Sequence, residues 1–351
     1  MEQTVNYSRY KTLFSILALV VFIWGVLGAL EVNKMPYAGY SISPDNVVTQ
    51  VRKGSPAEKA GLQVGDTITR IDNIAIEDFA ALTNRGRPAI DSEATLTVKR
   101  GEAEQTLTLR YASLPMSDLL AGRGVGLLSG LLFLILGLWV YLKNPTRLST
   151  TFCSLSLLFA FLLFGGPYFA SPAARRLSGA ILEFATSILL ALILTYSLDY
   201  PRTKKIIADR RWLRQAIYLI AIVVGVMLAT IVATTPSMGP GFSMALSTIM
   251  NVIWGGYLLL AVISVIHSYV KASAEERSLT GLNFLMLGMV IGFVPGLISI
   301  VVHTIAPHMG ELPGERFWGI TLLALPIGLA LALMKLEPAP AAAKAEEKPA
   351  T

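Results

Sequence analysis

Gly54-Ser55-Pro56-Ala57-Glu58-Lys59-Ala60-Gly61-Leu62-Gln63-Val64-Gly65-Asp66 runs directly into Thr67-Ile68-Thr69-Arg70-Ile71-Asp72-Asn73-Ile74-Ala75-Ile76. Ser55 before Pro56 reads as an N-cap ahead of a proline at the first helical position, and Gly61 supplies the stop, which predicts a short helix over 56–60. Gly54 and Gly65 suit the positive φ of turns, and Asp66 can accept hydrogen bonds from turn amides ahead of the next strand. Leu62 and Ile68 supply core contacts, and Thr67–Ile71 has the composition of a strand.

The same character extends outward in both directions. Val47–Val51, Ala94–Val98 and Gln105–Leu109 show period-two or strand-rich patterning, and a second short helix is predicted over Glu77–Thr83. Residues 37–111 therefore predict a strand-dominated α+β unit. Its signature, about 25 residues from Gly54 to Ile76 together with the strand Leu96–Arg100 and the Lys99-Arg100-Gly101 turn, resembles that of bacterial PDZ domains. That resemblance implies recognition by strand addition: a C-terminal or internal peptide segment lies between the second strand and the second helix, and amides of a glycine-containing loop hold a terminal carboxylate. Carried onto this chain, the loop is Tyr37-Ala38-Gly39-Tyr40, Ser41 and Ile42 begin the edge strand, and Phe79 and Leu82 face the groove. The implied peptide-binding residues are Ala38, Gly39, Tyr40, Ser41, Ile42, Phe79 and Leu82. A domain that binds no free peptide and packs on outer loops is an equally weighted alternative.

The rest of the chain is of another kind. Of 351 residues, 54% are hydrophobic and 15% charged, where a soluble domain carries about a quarter charged. Ten of the 29 Lys/Arg and twelve of the 23 Asp/Glu fall between Glu31 and Asp118, which leaves the remainder more apolar still. Eight apolar stretches, near 13–30, 119–142, 150–170, 178–198, 214–234, 243–269, 279–304 and 317–335, suffice to cross a hydrocarbon core of about 30 Å. The predicted fold class is thus a multi-pass α-helical membrane protein of eight transmembrane helices with an extracytoplasmic α+β PDZ-like domain between the first and second. The expected division is a cytoplasmic N-terminus (1–12), an uncleaved first helix (13–30), the PDZ-like domain (31–116), a seven-helix membrane domain (117–335) and a disordered cytoplasmic tail (336–351).

Orientation follows from basic residues. With the N-terminus inside, the cytoplasmic segments hold 15 Lys/Arg, while the outer segments apart from the domain and its junction hold Arg175, Arg176 and Arg316. This predicts both termini in the cytoplasm, the domain outside, and residence in a bacterial inner membrane. The net charge of +6 is explained by those loops, so a nucleic-acid partner is not expected. Pro295 and Pro326 are predicted to kink the seventh and eighth helices at mid-span.

Catalytic motifs are missing. The three histidines, His267, His303 and His308, have no H-E-x-x-H context, the single cysteine, Cys153, lies in an apolar run, and Gly241-Phe242-Ser243-Met244 is a weak echo of a serine-protease turn. Asp199 and Asp209 sit at or beyond the inner membrane edge. No enzymatic activity, catalytic residue, cofactor or metal site is expected. Glu183 reads either as a functional intramembrane carboxylate or, with more weight, as an interfacial partner of Arg175 or Arg176. Asn251 and Asn283 read as ligand contacts or, with more weight, as interhelical hydrogen-bonding residues, and His303 and His308 as pH sensors or, more commonly for such positions, incidental loop residues.

One helix, an external domain and seven helices also resemble the membrane input module of competence-type quorum-sensing histidine kinases, supported by Ser197-Leu-Asp-Tyr-Pro-Arg202, the Arg277–Pro295 stretch and Ala324-Leu-Pro-Ile-Gly-Leu329. No kinase motif follows Lys335, which leads us to expect a separate cytoplasmic output partner beside the peptide ligand and the lipid bilayer. The function that follows is a sensor or receptor recognising a peptide or protein segment. The alternative is a non-signalling scaffold or quality-control adaptor that recruits extracytoplasmic clients.

Overall fold

A computed structural model describes the chain apart from residues 1–6, 32–33, 44, 79–80, 83–84, 120–122, 170, 235–239, 307–308, 310–311 and 337–351. Among the described residues, eight helical segments are long and apolar enough to cross a membrane: Tyr7–Leu30, Val125–Lys143, Arg147–Phe164, Pro172–Asp199, Trp212–Thr234, Thr248–Lys271, Leu282–Ile305 and Trp318–Lys335. Their α-helices are α1 (Lys11–Leu30), α3 (Val125–Lys143), α4 (Arg147–Phe164), α5 (Pro172–Asp199), α6 (Arg211–Thr234), α7 (Pro240–Lys271), α8 (Leu282–Ile305) and α9 (Ala324–Lys335). Large apolar side chains such as Leu19, Leu219 and Val252 are more than half exposed on these helices. A bundle in water would not leave so much apolar surface uncovered, whereas lipid tails match it.

Caps explain where the helices start and stop. Thr146 and Ser149 form a reciprocal capping box at the head of α4, and Gly165, at φ +65°, ends it five residues before the predicted limit. Pro172 at the first position opens α5 earlier than predicted and draws Arg175 and Arg176 into the helix. The helix α8 continues through Pro295. The eighth span changes character just before its proline: Glu315–Leu323 is a 3-10 helix, and Pro326 falls in the first turn of α9.

Packing in the bundle relies on small residues. A Cβ on Gly288 would lie 2.8 Å from the Ala324 carbonyl oxygen, and one on Gly328 would lie 2.5 Å from that of Phe284, so α8 and α9 touch backbone to backbone. The core between helices holds Phe133, Tyr141, Phe152, Tyr200, Leu282 and Leu285, all fully buried. Phe133 and Phe159 stack at 4.4 Å between ring centres.

Between α1 and α3 lies the polar domain. Its strands are β1 (Pro36–Tyr37), β2 (Tyr40–Ile42), β3 (Val48–Val51), β4 (Thr67–Ile71), β5 (Ile74–Ala75), β6 (Glu93–Arg100), β7 (Ala103–Arg110) and β8 (Ala112–Ser113). They form a four-stranded sheet in the order β5-β4-β6-β7, the pair β2-β3 and the pair β1-β8, all antiparallel. The predicted helix is present as α2 (Pro56–Lys59), with the Ser55 hydroxyl accepting from the Glu58 amide at 3.2 Å. Ala94, Leu96 and Val98 point inward along β6 and join Val48, Leu62, Ile68 and Leu109 in a separate core. A fully buried side chain of this type contributes about 1.5–3 kcal/mol. Three strands escaped the reading: β5, and the pair β1 and β8, which ties the domain's entry to its exit.

Asp66, 1% exposed, explains why the opening stretch is so ordered. It accepts from the Gln63 amide at 2.9 Å, and both oxygens are held by Arg100, Nε at 2.7 Å and Nη2 at 2.8 Å. Arg100 also donates to the Gly61 carbonyl at 2.8 Å, so one guanidinium closes the helix stop and the turn together. Bonding to Arg100 holds the Asp66 carboxyl below the usual carboxylate range.

Candidate functional site

The β2 strand pairs with β3 in the register Tyr40↔Val51, Ser41↔Gln50 and Ile42↔Val48, with an irregularity between Ser41 and Ile42. Among the described residues no strand pairs with its other edge. Ser41 and Ile42 are exposed, Ile42 by 42%. Such an edge presents unpaired backbone donors and acceptors to an incoming chain.

The preceding loop is anchored from within the domain. The Ala38 carbonyl accepts from the Ala57 amide and the Gly39 carbonyl from the Arg52 amide, each at 2.9 Å. In a trans peptide the N–H opposes the C=O, so the Tyr40 amide faces away from Arg52 and toward the open edge. Gly39 has φ +82°, and a Cβ there would collide with the Ser55 side chain. The loop thus needs glycine both for its backbone and for its seat on the cap of α2.

Ala38, Tyr40 and Leu82 all pack against the domain core. Burial pushes the Tyr40 phenol up to about 12, with Tyr111 adding to the shift and Arg85 opposing it. Leu82 lies in a helical turn whose amide donates to the Asp78 carbonyl at 3.0 Å, and Asp78 Oδ1 accepts from the Ala81 amide at 3.0 Å. The structure therefore brings six of the seven groove candidates, Ala38, Gly39, Tyr40, Ser41, Ile42 and Leu82, into one domain around β2. The seventh, Phe79, lies outside the described residues, as does His308.

The domain is seated on the membrane body through contacts that sequence reasoning missed. The Arg87 guanidinium lies 4.5 Å from the centre of the Tyr168 ring, in the loop between α4 and α5. The Tyr168 amide donates to Glu31 at 2.6 Å, and Lys34 lies 3.1 Å from the same side chain. Lys34 and that amide hold the Glu31 carboxyl below its ordinary range. Arg123 donates to the Phe164 carbonyl at 2.8 Å and fixes the other end of this loop. An arginine and a tyrosine 81 positions apart carry no local signal of contact.

Other polar residues fall differently from expectation. Glu183 does not pair with Arg175 or Arg176, and its Oε2 is buried without a hydrogen-bond partner among the described residues. Asn283 is exposed at the head of α8, so it is not interhelical glue, and Asn251 is half-buried in α7. His303 is not a loop residue: it lies within α8, 3.0 Å from Glu315, which also accepts from Ser299 and, at 2.7 Å, from the Leu312 amide. Asp199, 8% exposed, accepts from Arg147 at 2.8 Å and Arg214 at 2.5 Å and so joins α4, α5 and α6.

With this geometry in hand, comparison with known proteins is informative. The PDZ domain family profile matches residues 47–100, a stretch that holds Leu82 and leaves Ala38–Ile42 outside it. A probable periplasmic serine endoprotease DegP-like protein of Hahella chejuensis is 35% identical over 99 residues, covering 27% of this chain. The chain spans about a fifth of that relative's length, 21%. The chain contains a PDZ domain, and PDZ domains bind peptide or protein segments.

Proposed function

We propose that the protein is a receptor-like membrane protein that takes up a peptide or protein segment by strand addition at β2 and relays occupancy to a separate cytoplasmic partner. The observation that carries this reading is the unpaired edge of β2, with the Tyr40 amide directed toward it and Leu82 packed on the same domain core. Main-chain bonds along that edge supply affinity, and the side chains around Tyr40 and Leu82 supply selection. The domain lies outside the cytoplasm in this reading, in a bacterial inner membrane with both termini inside. The excess of Lys/Arg in the opposite loops supports that orientation, as does the likeness to a protein described as periplasmic.

Relay follows from the seat. Arg87 belongs to the loop after the groove helix and Tyr168 to the loop that Glu31 and Arg123 fasten to α1 and α3, so a ligand that shifts the groove helix moves a joint shared by several spans. The similarity to the membrane input module of quorum-sensing kinases agrees with such a role. In this reading the chain carries out no catalysis.

Photoreactive residues at Ile42 and Leu82, placed one at a time in native membranes, test the groove. Peptide or protein adducts at both, competed by excess peptide, are expected; a folded protein that yields none ends the reading. Reporter fusions after Lys335 and within residues 101–102 are expected to report cytoplasm and exterior respectively. A second reading, an adaptor that recruits extracytoplasmic clients without signalling, is favoured by the likeness to a periplasmic protease. It predicts adducts that leave the contacts around Tyr168 unchanged.

A further inference from the structure

An open cavity of about 330 Å³ lies between the PDZ domain and the outer ends of α5 and α6, lined by Leu82, Gly86, Pro172, Arg175, Arg176 and Val232. Leu82 is also one of the groove candidates, and it packs against the same domain core as Tyr40. A segment lying in the groove thus meets the membrane body at this point.

The charges around the cavity are not equivalent. Arg85 is paired with Asp72, and Arg87 is stacked on Tyr168. Arg175 and Arg176 make no side-chain hydrogen bond or ion pair among the described residues, and Glu183, the nearest acidic residue on the same helix, leaves an oxygen unpartnered rather than reach back to them. Two like charges at successive positions of α5 border one cavity beside the apolar side chains of Leu82, Pro172 and Val232, with no acidic side chain among the described residues of its lining to balance them. Such a pair is matched by a planar anion that accepts a forked set of N–H donors.

We infer that Arg175 and Arg176 form an anion subsite for the PDZ ligand, receiving a carboxylate carried by the bound segment as an Asp or Glu side chain or as its terminus. The inference rests on the groove reading above and adds a residue class to it: the ligand combines apolar anchors at β2 and Leu82 with an acidic group at the membrane side. Specificity then comes from two parts of the chain, the domain and the bundle, and the isolated domain would lack half of it.

The test is a selection of mRNA-displayed random dodecamers on the full-length protein in phosphatidylcholine nanodiscs. Wild type is expected to enrich peptides with apolar anchors and an Asp or Glu at fixed spacing, and to bind them about tenfold tighter than their Asn or Gln counterparts by fluorescence anisotropy. Arg175→Gln/Arg176→Gln should keep the apolar anchors and lose the acidic preference; Arg175→Glu/Arg176→Glu should replace it by Lys or Arg. Both variants must retain the wild-type thermal transition. An unchanged acidic preference in the glutamine variant overturns the subsite and leaves the groove standing. No enrichment over empty nanodiscs by wild type removes the groove reading and the subsite with it. Loss of bound phosphatidylglycerol from the glutamine variant in native mass spectrometry, with peptide selection unchanged, assigns the pair to a lipid phosphate and also overturns the proposal.

Discussion

In the PDZ domain a buried aspartate, Asp66, takes both of its charged bonds from Arg100, and the pair closes a turn that Gly61, Gly65 and the Ser55 cap already define. In the membrane body a buried aspartate, Asp199, is shared between Arg147 and Arg214, and the three come from separate helices. The chemistry is the same and its purpose differs. In water, apolar burial assembles the domain and the ion pair refines a local turn. In lipid, apolar surface gives little reason for one helix to prefer another, so association falls to close backbone contact and to a few polar ties.

That contrast predicts a hierarchy of effects. The largest should come from Gly328→Leu, which forces a side chain between α8 and α9 where a Cβ would already lie 2.5 Å from the Phe284 carbonyl oxygen. A loss of about 3 kcal/mol in the thermal unfolding of the bundle in detergent is expected, with the domain unaffected. Equal loss in both regions would erase the distinction.

Next is Asp66→Ala, read by pulse proteolysis of the full-length protein. Breaking a buried pair costs about 3–5 kcal/mol, but Arg100 is 31% exposed and can reach water, so about 2 kcal/mol is expected, confined to the domain. The pH dependence has a definite sign. The Asp66 carboxyl titrates below its unfolded value, so its contribution is present above about pH 4 and drains away as pH falls through the lowered folded value. Asp66→Asn should flatten the acid limb of domain stability in that window.

Asp199→Asn should cost the bundle about 1 kcal/mol, because the amide still accepts one bond and both arginine side chains are partly exposed. The resulting change in α4–α6 packing can be followed by cysteine crosslinking between the helix ends that meet at Asp199. Smallest is Arg110→Ala: its bond to Asp91 joins two side chains that are 66% and 71% exposed, and no measurable change in domain stability is expected.

The contrast also governs how much could be read from sequence. The α2 helix, β4, β6 and β7 were legible because Pro56, Gly61 and the alternation of Ala94, Leu96 and Val98 act through their immediate neighbours. The eight spans were legible from length and hydropathy, and the PDZ domain through the Gly54–Ile76 signature. What escaped is long in range: Tyr168 under Arg87, Arg147 with Asp199, and Glu315 with His303 are brought together only by packing. The ends of α4 and α5 shifted because Gly165 and Pro172 outweighed hydropathy, and the 3-10 segment ahead of Pro326 carried no signal in hydropathy.

The short pairing of β1 with β8 sets Tyr37 opposite Ala112, so the domain's two ends leave side by side. A unit whose ends meet is an interchangeable part. It can be lifted out and its place bridged by a few residues, turning α1 and α3 into a plain hairpin, or it can be spliced into an outer loop of another bundle without prising that loop apart. Through that two-residue clasp, a lineage could trade one recognition module for another and keep the same helices.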